Sequence, residues 1–185
     1  MESSNHPKFI FLIGFMASGK TTIGRQISSK LNVPFIDLDE VIEMEAGCDI
    51  PTIFKTQSEW TFRNLEARCL RQLKSLPEPY YIISVGGGTP CFRGNLPWMK
   101  NHGKIAYLDT PLHTIVSRLD KEATEKRPMF ANVGPEEKIT FIDERWLARQ
   151  AYYKQADARF RDPETMLEEI VPWILDQNGF QQLSE

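Results

Sequence analysis

Apolar positions along this chain fall into two rhythms. Runs of strand length occur at residues 9–13, 33–38, 80–85 and 105–108. Such runs predict parallel strands covered on both faces. Between them, apolar residues recur every three or four positions, which predicts helices. Ile23, Ile27 and Leu31 mark one over 19–31. Residues 40–74 read as helical with an interruption at 47–51, and 112–119 and 136–156 read as further helices. Residues 158–161 predict a last edge strand. Asp162-Pro163 then predicts a final helix, with Asp as N-cap and Pro at the first helical position. Residues 1–7 read as a loose polar tail. Residues 121–135 are polar, with no apolar period before Met129-Phe130, and predict a loop or mobile lid.

Strands alternating with helices predict an α/β fold in three layers (α/β/α), with a central parallel sheet of about five strands. The 185 residues fit one domain. In such folds ligands sit beyond the carboxyl ends of the strands. Gly14, Asp37 and Gly86 all fall at those ends.

Composition narrows the picture. Hydrophobic residues make up 41% and charged residues 25%, enough apolar material for a core and too much for a disordered chain. The net charge of -3 argues against nucleic acid as the main partner but leaves room for a local basic pocket. Cys48, Cys69 and Cys91 are widely spaced, as are His6, His102 and His113, so neither a disulfide framework nor a zinc site is expected. The apolar stretch at 9–17 is too short to span a bilayer and runs straight into Ser18-Gly19-Lys20-Thr21. A buried strand fits it better than a signal peptide. The expectation is a cytoplasmic protein with no membrane partner, of a size that suits a monomer.

Gly14-Phe15-Met16-Ala17-Ser18-Gly19-Lys20-Thr21 matches G-x-x-x-x-G-K-[ST] between a predicted strand and a predicted helix. Glycines let backbone N–H groups turn toward phosphate oxygens, and the helix N-terminus adds positive potential. Lys20 would reach the β- and γ-phosphates and Thr21 would offer its hydroxyl to Mg²⁺. The motif implies a nucleoside triphosphate and leaves the acceptor open.

Asp37 and Asp39 lie two apart at a predicted strand end, so both carboxylates are expected to face one site. One near the metal and one near the acceptor hydroxyl would meet the needs of phosphoryl transfer; a helix cap would also account for one of them. Arg63 and Glu66 are three apart on a predicted helix, where the acid can fix the guanidinium for a substrate carboxylate. Gly86-Gly87-Gly88 closes a predicted strand and permits close approach of a ligand. Arg127-Pro128 lies in the predicted lid, and Arg149 lies on a helix one turn after Arg145. Trp60, Trp98, Trp146 and Trp173 read as packing residues.

The ordered set of a phosphate loop, Asp37-Leu38-Asp39, Phe62-Arg63-Asn64-Leu65-Glu66, Gly86-Gly87-Gly88, Arg127-Pro128 and Arg149-Gln150-Ala151-Tyr152-Tyr153 resembles the shikimate kinases across residues 9–175. The resemblance implies ATP and shikimate as substrates and Mg²⁺ as cofactor. It implies catalytic roles for Lys20, Asp39 and Arg127. It places ATP on Gly14, Ala17, Ser18, Gly19, Lys20, Thr21, Thr22, Arg118 and Arg127, with Arg118 stacked on adenine. It places the acceptor on Asp39, Arg63, Gly86, Gly87, Gly88 and Arg149, and the metal on Thr21 and Asp37. Position 17 carries Ala where the family often has Gly, and alanine is tolerated there only with a negative φ. The family's R-x-P-L-Y becomes Arg149-Gln150-Ala151-Tyr152-Tyr153, without the proline.

Two other readings share parts of this pattern. A gluconate or nucleoside monophosphate kinase would share the phosphate loop without requiring Arg63, the glycine triplet and Arg149 together. A non-catalytic nucleotide-binding module would not require Asp37, Asp39, Arg63 and Arg127.

Overall fold

The computed structural model describes residues 8–121, 137–177 and 179–184. Five strands form one sheet: β1 (Lys8–Ile13), β2 (Phe35–Asp37), β3 (Tyr80–Ser84), β4 (Gly103–Leu108) and β5 (Ala158–Phe160). Their order is β2-β3-β1-β4-β5 and every pairing is parallel. Eight helices of the described residues cover it: α1 (Lys20–Leu31), α2 (Leu38–Ala46), α3 (Ile50–Thr56), α4 (Glu59–Gln72), α5 (Asn95–His102), α6 (Leu112–Lys121), α7 (Lys138–Tyr153) and α8 (Met166–Leu175). None is long and apolar enough to cross a membrane.

The apolar run of β1 explains the three layers. Side chains alternate across a strand, so Phe9, Phe11 and Ile13 enter one core with residues of α2 to α7, including Leu38, Phe62, Leu70, Met99 and Ile142. Ile10 and Leu12 enter a second core with Ile27 and Leu31 of α1 and Ile170 and Ile174 of α8. A strand with no polar face requires both covers. Because β1 lies between β3 and β4, the chain beyond its carboxyl end sits where the strand order reverses, the usual ligand crevice of an open α/β sheet.

The structure departs from the sequence reading at several points. The helical stretch 40–74 is three helices, each opened by its own cap: Asp37 accepts from the Asp39 N–H, Asp49 from Thr52 and Ser58 from Thr61. Leu38 belongs to α2, so β2 ends at Asp37. The eight-residue α5 buries only Asn95, Leu96 and Met99, too little periodicity to stand out in sequence. Asp162-Pro163 does not start α8. Asp162 Oδ1 accepts from the Glu164 N–H at 2.9 Å in a turn, and the helix begins at Met166, where the apolar series with Ile170 and Ile174 begins. Trp60 is not a packing residue: it is 66% exposed, with the Arg93 guanidinium 5.5 Å from its ring. Residues 122–136, which hold most of the predicted lid together with Arg127, lie outside the described residues.

Candidate active site

The loop after β1 bends through Gly14 (φ 153) and Gly19 (φ 96) before α1 begins at Lys20. A side chain at Gly14 would meet Leu108 O at 2.7 Å and Ser18 Oγ at 2.8 Å. Ala17 has φ 55, against the negative value expected. The left-handed turn is held from outside: Arg118 of α6 donates from Nη1 to Ala17 O at 2.9 Å. Such a conformation costs an alanine about 1 kcal/mol or somewhat more. Thr110, beyond β4, donates to Ser18 O at 2.9 Å. Lys20 Nζ folds back over the loop, donating to Phe15 O at 2.8 Å and Gly14 O at 3.1 Å. Thr22 is exposed on the first turn of α1.

Thr21 Oγ1 donates to Asp37 Oδ2 at 2.7 Å, bringing α1 and the end of β2 together. Asp37 and Asp39 are not strand neighbours. Asp37 caps α2, and its Oδ1 accepts the Asp39 N–H at 3.1 Å, so Asp39 projects from the first helical turn. Burial, then the nearby charges of Asp37 and Glu66, push the Asp39 carboxyl up to about 6.

A second group gathers at the end of β3. Arg63 is buried on α4 and donates from Nη1 to both oxygens of Glu66, at 3.0 and 3.1 Å. Glu59, one turn earlier, accepts from Nε and Nη2 at 3.3 Å. Phe62 and Phe92 place their rings 4.9 and 4.3 Å from the guanidinium carbon. Glu66 is fully buried and also accepts from Thr89 Oγ1 at 2.7 Å. Burial still pushes its carboxyl above the ordinary range, with Arg63 and Thr89 pulling the other way. Arg149 of α7 is buried, with its guanidinium carbon 5.3 Å from the Phe15 ring.

The glycine triplet is where these groups meet. A Cβ at Gly86 would lie 3.2 Å from Asp39 Oδ1 and 3.3 Å from Glu66 Oε1. One at Gly87 would lie 3.2 Å from Arg149 Nη1, and one at Gly88 would lie 2.8 Å from Arg63 Nη2. The bare backbone is needed by the two guanidiniums as well as by any ligand. Asp39, Arg63 and Arg149, distant in sequence, therefore surround three consecutive residues, with the phosphate loop alongside: Gly14 O would lie 3.2 Å from the Gly87 Cβ. Sequence reasoning missed Thr89, which holds Glu66, and Phe92, which covers Arg63. A threonine and a phenylalanine in a loop carry no periodic signal.

A family model described as shikimate kinase matches residues 16–178. The chain belongs to the shikimate kinase family. It is 36% identical over 155 residues to the shikimate kinase of Phocaeicola vulgatus, covering 84% of this chain and 87% of that one. It is 35% identical over 166 residues to that of Persephonella marina, covering 88% and 96%. Among solved structures, shikimate kinase from Bacteroides thetaiotaomicron superposes with a TM-score of 0.79 at 34% identity, covering 91% of this chain and 97% of the other. Shikimate kinase from Acinetobacter baumannii in complex with shikimate gives 0.78 at 27% identity, covering 91% of each. The five-stranded parallel sheet between helix layers is thus the family's P-loop kinase fold.

Proposed function

We infer that the chain transfers the γ-phosphate of ATP to the 3-hydroxyl of shikimate, giving shikimate 3-phosphate and ADP. One observation supports this reading beyond family membership. Arg63 and Arg149 converge on the glycine triplet, and Asp39 stands at its Gly86 end. An acceptor with a carboxylate at one end and hydroxyls at the other fits between them. A fixed guanidinium receives a carboxylate in two parallel hydrogen bonds. Asp39, pushed up to about 6 chiefly by burial, is mostly ionised at physiological pH and suited to accept a hydroxyl proton there. The acceptor oxygen then bonds to phosphorus as the bond to the β-phosphate bridging oxygen breaks, and the proton goes to Asp39. Such transition states are loose, so positioning and charge stabilisation carry most of the acceleration. Lys20 is placed to leave the loop carbonyls for the phosphates. Arg127 would add charge from the segment 121–135.

Thr21 and Asp37 fit Mg²⁺ as a hydroxyl and a carboxylate already in contact. Magnesium prefers hard oxygen donors and is commonly held by one or two protein groups plus phosphates and water. Bound there, it would neutralise charge developing on the phosphates.

The deciding experiment follows ADP release with ATP and Mg²⁺, in the presence of shikimate, gluconate or a nucleoside monophosphate. Release that depends on shikimate alone is expected. Release with another acceptor instead would overturn the reading, and ATP binding without release for any acceptor would favour a non-catalytic module.

A further inference from the structure

The helix that carries Arg149 is fastened to the sheet end at two points after that residue. Tyr153, one turn later, is fully buried and donates from its hydroxyl to Gly87 O at 2.5 Å. Gln150, the next residue after Arg149, donates from Nε2 to the Tyr107 hydroxyl at 3.2 Å. Tyr107 in turn donates to Asp109 Oδ1 at 2.6 Å, and Arg159 of the neighbouring strand closes on the other oxygen of Asp109. The rings of Tyr107 and Tyr153 pack with centroids 5.0 Å apart. Two strand ends, those of β3 and β4, therefore hold α7 through tyrosine hydroxyls.

Gly87 makes the connection specific. Its carbonyl receives Tyr153, and its missing side chain leaves room for Arg149, whose Nη1 would be 3.2 Å from a Cβ there. Residues four apart share a helix face. Arg149 and Tyr153 thus meet the same residue of the triplet from one face of α7. We propose that Tyr153 is a positioning residue for the acceptor: by tying α7 to the Gly87 carbonyl, it fixes where the Arg149 guanidinium meets the acceptor's carboxylate. The inference rests on the reading of Arg149 as a carboxylate receptor. Burial pushes the Tyr153 hydroxyl well above its ordinary range, so it stays a donor throughout the working pH range. Arg149 also lies beside the Tyr153 hydroxyl itself and against the face of Phe15. A ring face leaves a guanidinium free to slide in a way that a directed hydrogen bond does not.

The test is steady-state kinetics on the full chain. Arg149→Ala comes first and should raise the KM for shikimate strongly; if it does not, the receptor reading fails and the inference fails with it. Given that rise, Tyr153→Phe should raise the shikimate KM about 5–10-fold with kcat within about twofold and the ATP KM unchanged, since displacements of about 1 Å can cost up to about 100-fold. The Arg149→Ala/Tyr153→Phe double variant should be no weaker than Arg149→Ala alone, because the two residues act through one contact. The methyl ester of shikimate, which lacks the anion, should lose nothing from Tyr153→Phe. Tyr81→Phe is the control: it removes another buried hydroxyl, at the far end of β3, which accepts the Glu78 N–H at 3.0 Å. It should leave the KM unchanged. An unaltered KM in Tyr153→Phe, an additive double variant or an equal penalty with the ester would each overturn the proposal. Should Tyr153→Phe fail to fold, Tyr107→Phe releases the Gln150 anchor and takes its place in the same cycle, with a smaller rise of about 2–4-fold expected from its longer contact.

Discussion

Two acidic side chains flank Gly86, and they are kept in opposite ways. Asp39 Oδ1 and Glu66 Oε1 would lie at nearly equal distances, 3.2 and 3.3 Å, from a Cβ at that residue. Burial raises the affinity of both for a proton. Glu66 is compensated: Arg63 covers both its oxygens and Thr89 donates to one of them. Among the described residues Lys20 favours the charge of Asp39, while Asp37, Glu66 and Glu43 oppose it. A buried carboxylate with its partners in place is a fixed strut. One short of partners is reactive. The same burial thus produces a holder for Arg63 on one side and a candidate base on the other, and the difference lies in the neighbours.

Asp39→Asn tests the reactive member most directly. Removing a positioned base costs typically about 10²–10⁴-fold in rate, and kcat should fall by that order with ATP binding retained. Stability should move the other way. The folded pKa of about 6 exceeds the ordinary value of 3.8. A proton on Asp39 therefore favours the folded state at low pH, and that contribution is lost as pH rises through about 6. At pH 7.5 the neutral amide should stabilise the fold by about 1–2 kcal/mol, a rise of a few degrees in Tm. An Asn variant that turns over normally would remove Asp39 from catalysis. One that is inactive but less stable would show that its carboxylate is compensated after all.

Arg63→Ala attacks the compensated member. It removes a bidentate receptor from the acceptor site, and the KM for shikimate should rise about 10–100-fold. It also strands Glu66, at a cost of about 3 kcal/mol. Pairing it with Glu66→Gln separates the two effects. The double variant should regain much of the lost stability, read by thermal melting, and none of the lost affinity. Recovery of KM in the double variant would mean that Arg63 acts on the fold and not on the acceptor.

The pH profile is the third probe and the one that separates the two acids without mutation. The acid limb of kcat/KM reports the free enzyme's base. It should bend near pH 6, falling about tenfold per unit below that as Asp39 gains its proton. Above the bend the profile should be flat. A limb that persists in a slow Asp39→Asn enzyme would belong to another group.

How much of this was legible in the sequence follows from how local each feature is. The phosphate loop is one contiguous segment between a strand and a helix, and it was read whole. The Arg63–Glu66 pair is three residues apart on one helix and was equally legible. The placement of Asp39 was not. Strand alternation predicted that it would face the same way as Asp37, yet Asp37 ends β2 and caps α2, so the two acids reach the site from different backbone conformations. A cap that bonds its own side chain to the chain two residues on competes with strand continuation, and sequence alone does not decide between them. The left-handed Ala17 is a further case. Its φ of 55 is tied to a hydrogen bond from Arg118, about a hundred residues later in the chain. Tyr153 ends the motif Arg149-Gln150-Ala151-Tyr152-Tyr153, four residues after Arg149. What it holds, the carbonyl of Gly87, lies 66 residues away and appears only in three dimensions.

The smallest expected effect on activity is the sharpest test of the compensated side. Thr89→Val keeps the shape of the side chain and removes the hydroxyl that donates to Glu66 Oε1 at 2.7 Å. The backbone of residue 89 stays fixed, since Asn95 Nδ2 donates to its carbonyl at 3.0 Å. One lost hydrogen bond to a buried charge should cost about 1.5–3 kcal/mol at pH 7.5. The penalty should shrink as pH falls. Thr89 favours the charged form of Glu66, so its loss lets Glu66 take a proton more readily, and protonated Glu66 needs the donor less. Turnover and the acid limb near pH 6 should not move, because Glu66 holds Arg63 and does not touch the reacting hydroxyl. A shift of that limb in Thr89→Val would show Glu66 and Asp39 titrating as one pair. The distinction between strut and base would then give way to a shared proton.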